Sequence, residues 1–82
     1  PPVRLHHGGA SVDGAKIGER RVYIDARHGW RMAGVYQREL LPVGPPLEGP
    51  AIVNEMSSTT VVLPGQRLTV DAHGNMILQV AP

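Results

Sequence analysis

The chain has 82 residues, enough for one domain, and at this size only about 60–65% of the unfolded surface is buried on folding, so the core is thin. Eight basic and seven acidic residues leave a net charge of +1. With no basic stripe and only Trp30, Tyr23 and Tyr36 able to stack on bases, nucleic-acid binding is excluded as a working reading. There is no cysteine, hence no disulfide and no thiolate zinc site, and no apolar run nears the ~20 residues of a membrane span.

Phenylalanine is absent too, so the core has to be aliphatic, drawn from Val, Ile and Leu. Such β-branched side chains suit pleated strands. Ten Gly and eight Pro leave little room for a helix of ordinary length. A thin core without staples leans on a partner or on the rest of a larger polypeptide. The chain opens at Pro1 without a Met, so its start is expected to be processed or to lie upstream; no signal peptide is visible, and the default location is the cytoplasm.

Residues 1–18 carry PP, HHGG and DG and read as an entry arm or linker, with a single β domain over 19–82. Residues 21–25 predict a strand with Val22 and Ile24 on one side. A turn over 26–29 leads to a strand over 30–36, which places Trp30, Met32, Gly34 and Tyr36 on one face. Gly34 inside it implies a bulge or a close backbone approach. Residues 37–41 allow at most one helical turn before Pro42, and 42–50 form a breaker-rich crossing loop. Residues 51–53 are a buried strand trailing into Asn54 and Glu55, and 59–63 another strand. Pro64 and Gly65 fit the centre of a type II turn. Residues 67–71 alternate, with Leu68 and Val70 inward; His73, Gly74 and Asn75 turn the chain into a last strand over 76–80. The sum is an all-β fold, a small barrel or sandwich of six to seven short, mostly antiparallel strands.

Candidate chemistry is sparse. His6 and His7 are adjacent and point opposite ways on an extended chain, while His28 and His73 sit in predicted turns, so solvated loop histidines explain them better than a metal site. Asp25, Glu55 and Asp71 lie near strand ends, where a cleft could gather them, yet nothing in the sequence pairs Glu55, and exposed carboxylates suffice. The hydroxyl block Ser57, Ser58, Thr59 and Thr60 reads as a turn running into a strand start. A phosphate cradle would need a glycine-rich turn feeding a helix, and none follows. Trp30 is expected to be buried as the largest core residue available. No catalytic, cofactor-binding or metal-ligating residue is assigned.

The stretch GPAIVNEMSSTTVVLPGQRLTVDAHGNMIL, residues 49–78, resembles the carboxyl-terminal segment of the A-type subunit of the hydantoinase/oxoprolinase family. That family includes 5-oxoprolinases and the acetone and acetophenone carboxylases. The features are Gly49-Pro50-Ala51-Ile52, Ser58-Thr59-Thr60-Val61-Val62, Pro64-Gly65, Val70-Asp71, Gly74-Asn75 and Leu78. Upstream, Arg21-Val22-Tyr23-Ile24-Asp25, and Tyr36-Gln37-Arg38 followed by Leu40, are similar to earlier parts of the same segment. Departures fall at Gln37, Asn54 and Ser57, each standing where the family pattern has an acid.

The resemblance implies a structural β module, a subunit or a domain, in a multisubunit ATP-dependent enzyme of the cytoplasm. ATP and a divalent metal belong to the larger complex, not to this chain. The implied partners are larger hydantoinase A-like and B-like subunits or domains, with Asn54, Glu55, Ser57, Ser58, Thr59 and Thr60 as the candidate contact surface. Two other readings stay open. One is a biotinyl- or lipoyl-like carrier, which needs a modifiable lysine at a hairpin tip; the only lysine is Lys16. The other is an independent peptide-binding β barrel.

Overall fold

In a computed structural model, which describes residues 11–80, seven strands form two sheets. The strands are β1 (Lys16–Tyr23), β2 (Trp30–Gln37), β3 (Leu47–Glu48), β4 (Ala51–Asn54), β5 (Thr59–Val62), β6 (Gln66–Val70) and β7 (Met76–Val80). One sheet runs β1-β2-β4-β5 and the other β3-β6-β7. All pairings are antiparallel except β2 with β4, where Val35 lies beside Ile52. That parallel pair needs a crossover, and residues 38–50 supply it. They make a 3₁₀ turn at Arg38–Leu40, bury Leu41 and Leu47, and lay β3 against β6 before returning to the first sheet. The loop expected over 42–50 therefore contains a strand of its own.

The main core lies between the sheets. Ala51, Val53 and Val62 from the first sheet meet Leu47, Leu68 and Val70 from the second, with Leu41 from the crossover and Tyr36 at the margin. Ala15 is fully buried in the same cluster. Within the expected arm, residues 11–18 thus include a 3₁₀ turn at Asp13–Ala15 and the start of β1. His6 and His7 lie outside the described residues. The strand expected from Arg21 begins at Lys16, because the pairing with β2 continues through a bulge that sets Lys16 opposite Tyr36 and Gly18 opposite Val35. The irregularity anticipated at Gly34 is therefore in the facing strand. Gly34 itself is the close approach: a Cβ there would sit 2.7 Å from the Tyr36 ring.

Turn chemistry fixes the second sheet. Gly65 has φ +83°, where a side chain is strained, and the Gln66 N–H closes the turn on the Leu63 carbonyl at 3.0 Å. At the β6–β7 turn Gly74 takes the same φ, and the Asp71 N–H donates to the Asn75 carbonyl at 3.0 Å.

The molecule is elongated, 48 × 27 × 22 Å. The first half of β2 and the second half of β1 form a two-stranded ribbon, with Tyr23 opposite Trp30 and Arg21 opposite Met32. On one face of it Ala33 and Val35 are buried in a smaller cluster with Ile52, and Val22 packs alongside. On the other face Trp30 is 61% exposed, which corrects the expectation that it is buried. The second sheet covers that face only at the Tyr36 end, so the alternation that was read correctly carries Trp30 out to solvent.

Candidate functional site

Asn54, Glu55, Ser57, Ser58, Thr59 and Thr60 are brought together by the β4–β5 hairpin. Asn54 pairs with Thr59 and Val53 with Thr60, and the turn closes through a 2.9 Å bond from the Glu55 N–H to the Ser58 carbonyl. Ser58 Oγ reaches Glu55 Oε1 at 3.4 Å, and Thr59 Oγ1 reaches Asn54 Oδ1 at 3.4 Å. The hydroxyl block is thus a turn followed by a strand, as read. Met56 at its tip is 100% exposed.

Glu55 is not the unpaired carboxylate the sequence suggested. Arg38, 17 residues earlier, donates Nη1 to Glu55 Oε2 at 3.0 Å, and its Nη2 donates to the Gly74 carbonyl. Both side chains of the ion pair are largely covered, at 30% and 24% exposed. One guanidinium therefore ties the crossover, the β4–β5 turn and the β6–β7 turn together. Only the crossover brings residue 38 to residues 55 and 74, so no local spacing rule could have found this set.

The other two acids are engaged within their own turns. In the β1–β2 turn Asp25 Oδ1 accepts from the His28 N–H at 2.7 Å and lies 2.9 Å from His28 Nδ1. The backbone bond, followed by the imidazole contact, holds the Asp25 carboxyl below its usual range. Asp71 Oδ1 accepts from the Asn75 and His73 N–H groups, each at 2.9 Å, and Oδ2 accepts from Asn75 Nδ2 at 3.1 Å. These bonds, the Asn75 N–H foremost, lower the Asp71 carboxyl as well. His28 and His73 are thus turn residues beside carboxylates. Among the described residues no three His, Asp or Glu side chains converge as metal ligands.

A carboxyl whose folded pKa lies below its unfolded value stabilises the fold fully above the unfolded range, about pH 4, and loses that contribution as pH falls through the folded value. Asp25 and Asp71 both work in this sense. Urea midpoints measured from pH 7 down to pH 2 are expected to fall on the acid side. An Asp71→Ala variant is expected to start from a lower midpoint at pH 7 and to show a shallower acid limb.

The remaining unusual cluster is on the ribbon. Tyr23 and Trp30 meet edge to face, with ring centroids 5.6 Å apart, and the Arg21 guanidinium lies 5.2 Å from the centre of the Trp30 rings. Met32, Arg21's strand partner, extends the same face and is 55% exposed. No helix of the described residues is long and apolar enough to cross a membrane. The two helical segments described are 3₁₀ turns of three residues each, and the β4–β5 turn opens onto a strand.

A family model described as the hydantoinase/oxoprolinase C-terminal domain matches residues 2–80. The acetophenone carboxylase gamma subunit of Aromatoleum aromaticum is 41% identical over 71 residues, a match that covers 87% of this chain and 10% of that protein. Among solved structures, nucleotide-free acetone carboxylase, from work on ATP-dependent acetone carboxylation, superposes with a TM-score of 0.78 at 32% identity. That match covers 96% of this chain and 11% of the other. The ATP-dependent caprolactamase of Pseudomonas jessenii gives the same TM-score at 23% identity, over 98% of this chain and 12% of the other, and bears on the fold alone. The chain thus spans about a tenth of the length of the relatives it matches.

Proposed function

Because this chain belongs to the hydantoinase/oxoprolinase C-terminal domain family, we propose that it is a non-catalytic β module, a subunit or a domain, of a cytoplasmic ATP-dependent carboxylase or hydrolase of that kind. Its work is structural: it packs on the larger ATPase-like part of the enzyme and on a partner subunit. ATP and its divalent metal are bound by that larger part. The observation that carries the reading is the size relation, in which nearly the whole chain matches a tenth of a much longer carboxylase polypeptide. The turn from Asn54 to Thr60 supports it as one contact: Arg38 ties it to the crossover through Glu55, and it presents the bare Met56 side chain.

A carrier role is the weaker reading. Lys16 opens β1 and is paired with Glu19 at 3.1 Å, away from any hairpin tip. An intact-mass spectrum of the chain is expected to show no added cofactor. The main test is calorimetric. ATP titrated into the isolated chain is expected to give no binding heat, while the complete enzyme binds it. ATP binding or hydrolysis by the isolated chain would overturn the proposal.

A further inference from the structure

The geometry points to the outer end of the β1–β2 ribbon, built on Trp30, Tyr23, Met32 and Arg21, as the face by which this module docks on the large part of its enzyme, at an apolar surface rimmed with carboxylates. The inference rests on the function proposed above and specifies where the contact is made.

Three observations converge on it. First, the only tryptophan of an aromatic-poor chain is spent on the surface, together with Tyr23 and Met32, each more than half exposed. Trp, Tyr, Met and Arg are the residue types enriched at protein interfaces, and Trp, Tyr and Arg lead among those whose truncation costs most binding. Second, the group is already arranged. Tyr23 braces the indole edge to face and Arg21 lies over its rings, so few rotamers remain to be frozen on contact. The strands beneath are anchored too, since Ala33 and Val35 on the opposite face pack with Ile52. Third, the charge is lopsided. Residues 16–37 hold five of the eight basic residues against Glu19 and Asp25. Arg21 shares the Trp30 face and Arg27 lies in the adjoining turn, while Arg20 and Arg31, beside Ala33 and Val22, edge the reverse face and Lys16 lies at the inner end opposite Tyr36. From residue 38 onward four acids outnumber Arg38 and Arg67. A basic, aromatic end selects a partner surface with an apolar centre and acidic surroundings. Glu19 and Asp25, interspersed among the basic residues, make the end a poor track for a phosphate backbone.

Photocrosslinking in the complete enzyme tests this. Benzoylphenylalanine is placed at position 32 and, in a separate preparation, at position 56; position 23 serves as a second ribbon site should the first variant fold poorly. On irradiation, position 32 is expected to label peptides of the large part that contain Asp or Glu. Adding Arg21→Glu is expected to cut that yield about tenfold, while Arg21→Lys retains most of it. Labelling of the large part from position 56 with none from positions 32 or 23 overturns the docking face but leaves the proposed function standing. Labelling from the ribbon to a second copy of the module, or to nucleic acid, also overturns it. If neither site labels the large part and the module elutes apart from it, the proposed function itself falls.

Discussion

Leu68→Ala is expected to remove a large share of the chain's stability and to lower its urea midpoint well below that of the unaltered chain. Leu68 is 1% exposed and sits where β6 faces Ala51, Val53 and Val62, so truncation removes three carbons from the middle of the core the two sheets share. Such changes cost about 2–5 kcal/mol, the upper part arising where the surroundings cannot close the cavity. Here collapse is hindered on both sides, because Leu68 is held in register between Leu47 and Leu78 by strand pairing. A chain of this length has about 4–12 kcal/mol of total stability, so the loss is a large share of the whole. Far-UV circular dichroism against urea is the measurement to use. Tryptophan emission would report poorly, since Trp30 is already open to water in the native fold. Leu40→Ala, at a position 42% exposed, is the control and is expected to cost less than about 1 kcal/mol. A midpoint for Leu68→Ala within error of that control would show that the two sheets do not share a tight core.

Gly49→Ala is expected to destabilise to a similar degree through the opposite fault, excess volume. A Cβ at residue 49 would overlap the Leu63 carbonyl group and stand 2.7 Å from the Val62 carbonyl oxygen. These are backbone atoms of the end of β5 and the turn after it, and no side-chain rotation can clear them. The Gly49 N–H also donates to the Gln66 carbonyl at 3.0 Å, so moving residue 49 away would break a bond to the start of β6. Overpacking costs about 1–3 kcal/mol and more where the neighbour is fixed; for a domain of this size 3 kcal/mol corresponds to a melting point lower by roughly 12–24 °C. Gly18→Ala is the matching control, because a Cβ there meets nothing within 4 Å. Equal melting points for the two variants would refute the steric account.

Much of this fold could be read locally. The alternation of residues 67–71 and the Pro64-Gly65 turn gave β6 its place and facing, and Leu68 and Val70 are buried as their spacing required. The hydroxyl block was legible for the same reason, since Ser and Thr act on their own neighbouring backbone. What escaped depends on contacts distant in sequence. A two-residue strand at Leu47–Glu48 has no periodicity to detect; it exists because β6 is there to pair with it. The parallel alignment of β2 with β4, and the Arg38 link to Glu55 and Gly74, follow from the crossover. Trp30 was misplaced because alternation assigns a side chain to a face and is silent on how far the opposite sheet extends over that face.

β1 and β7, each at an edge of its own sheet, differ in kind. β1 carries Lys16, Glu19, Arg20 and Arg21 along its length, charges that discourage another chain from adding itself to its free backbone. β7 reads MILQV, without charge or proline, and has no strand on its far side among the described residues. Its Leu78 and Val80 are exposed, although Leu78 pairs with buried Leu68. In isolation β1 is therefore protected by its charges, whereas β7 offers an uncharged edge on which a second copy can stack. A Leu78→Lys substitution on that edge is expected to raise the concentration at which the isolated chain aggregates, read by light scattering.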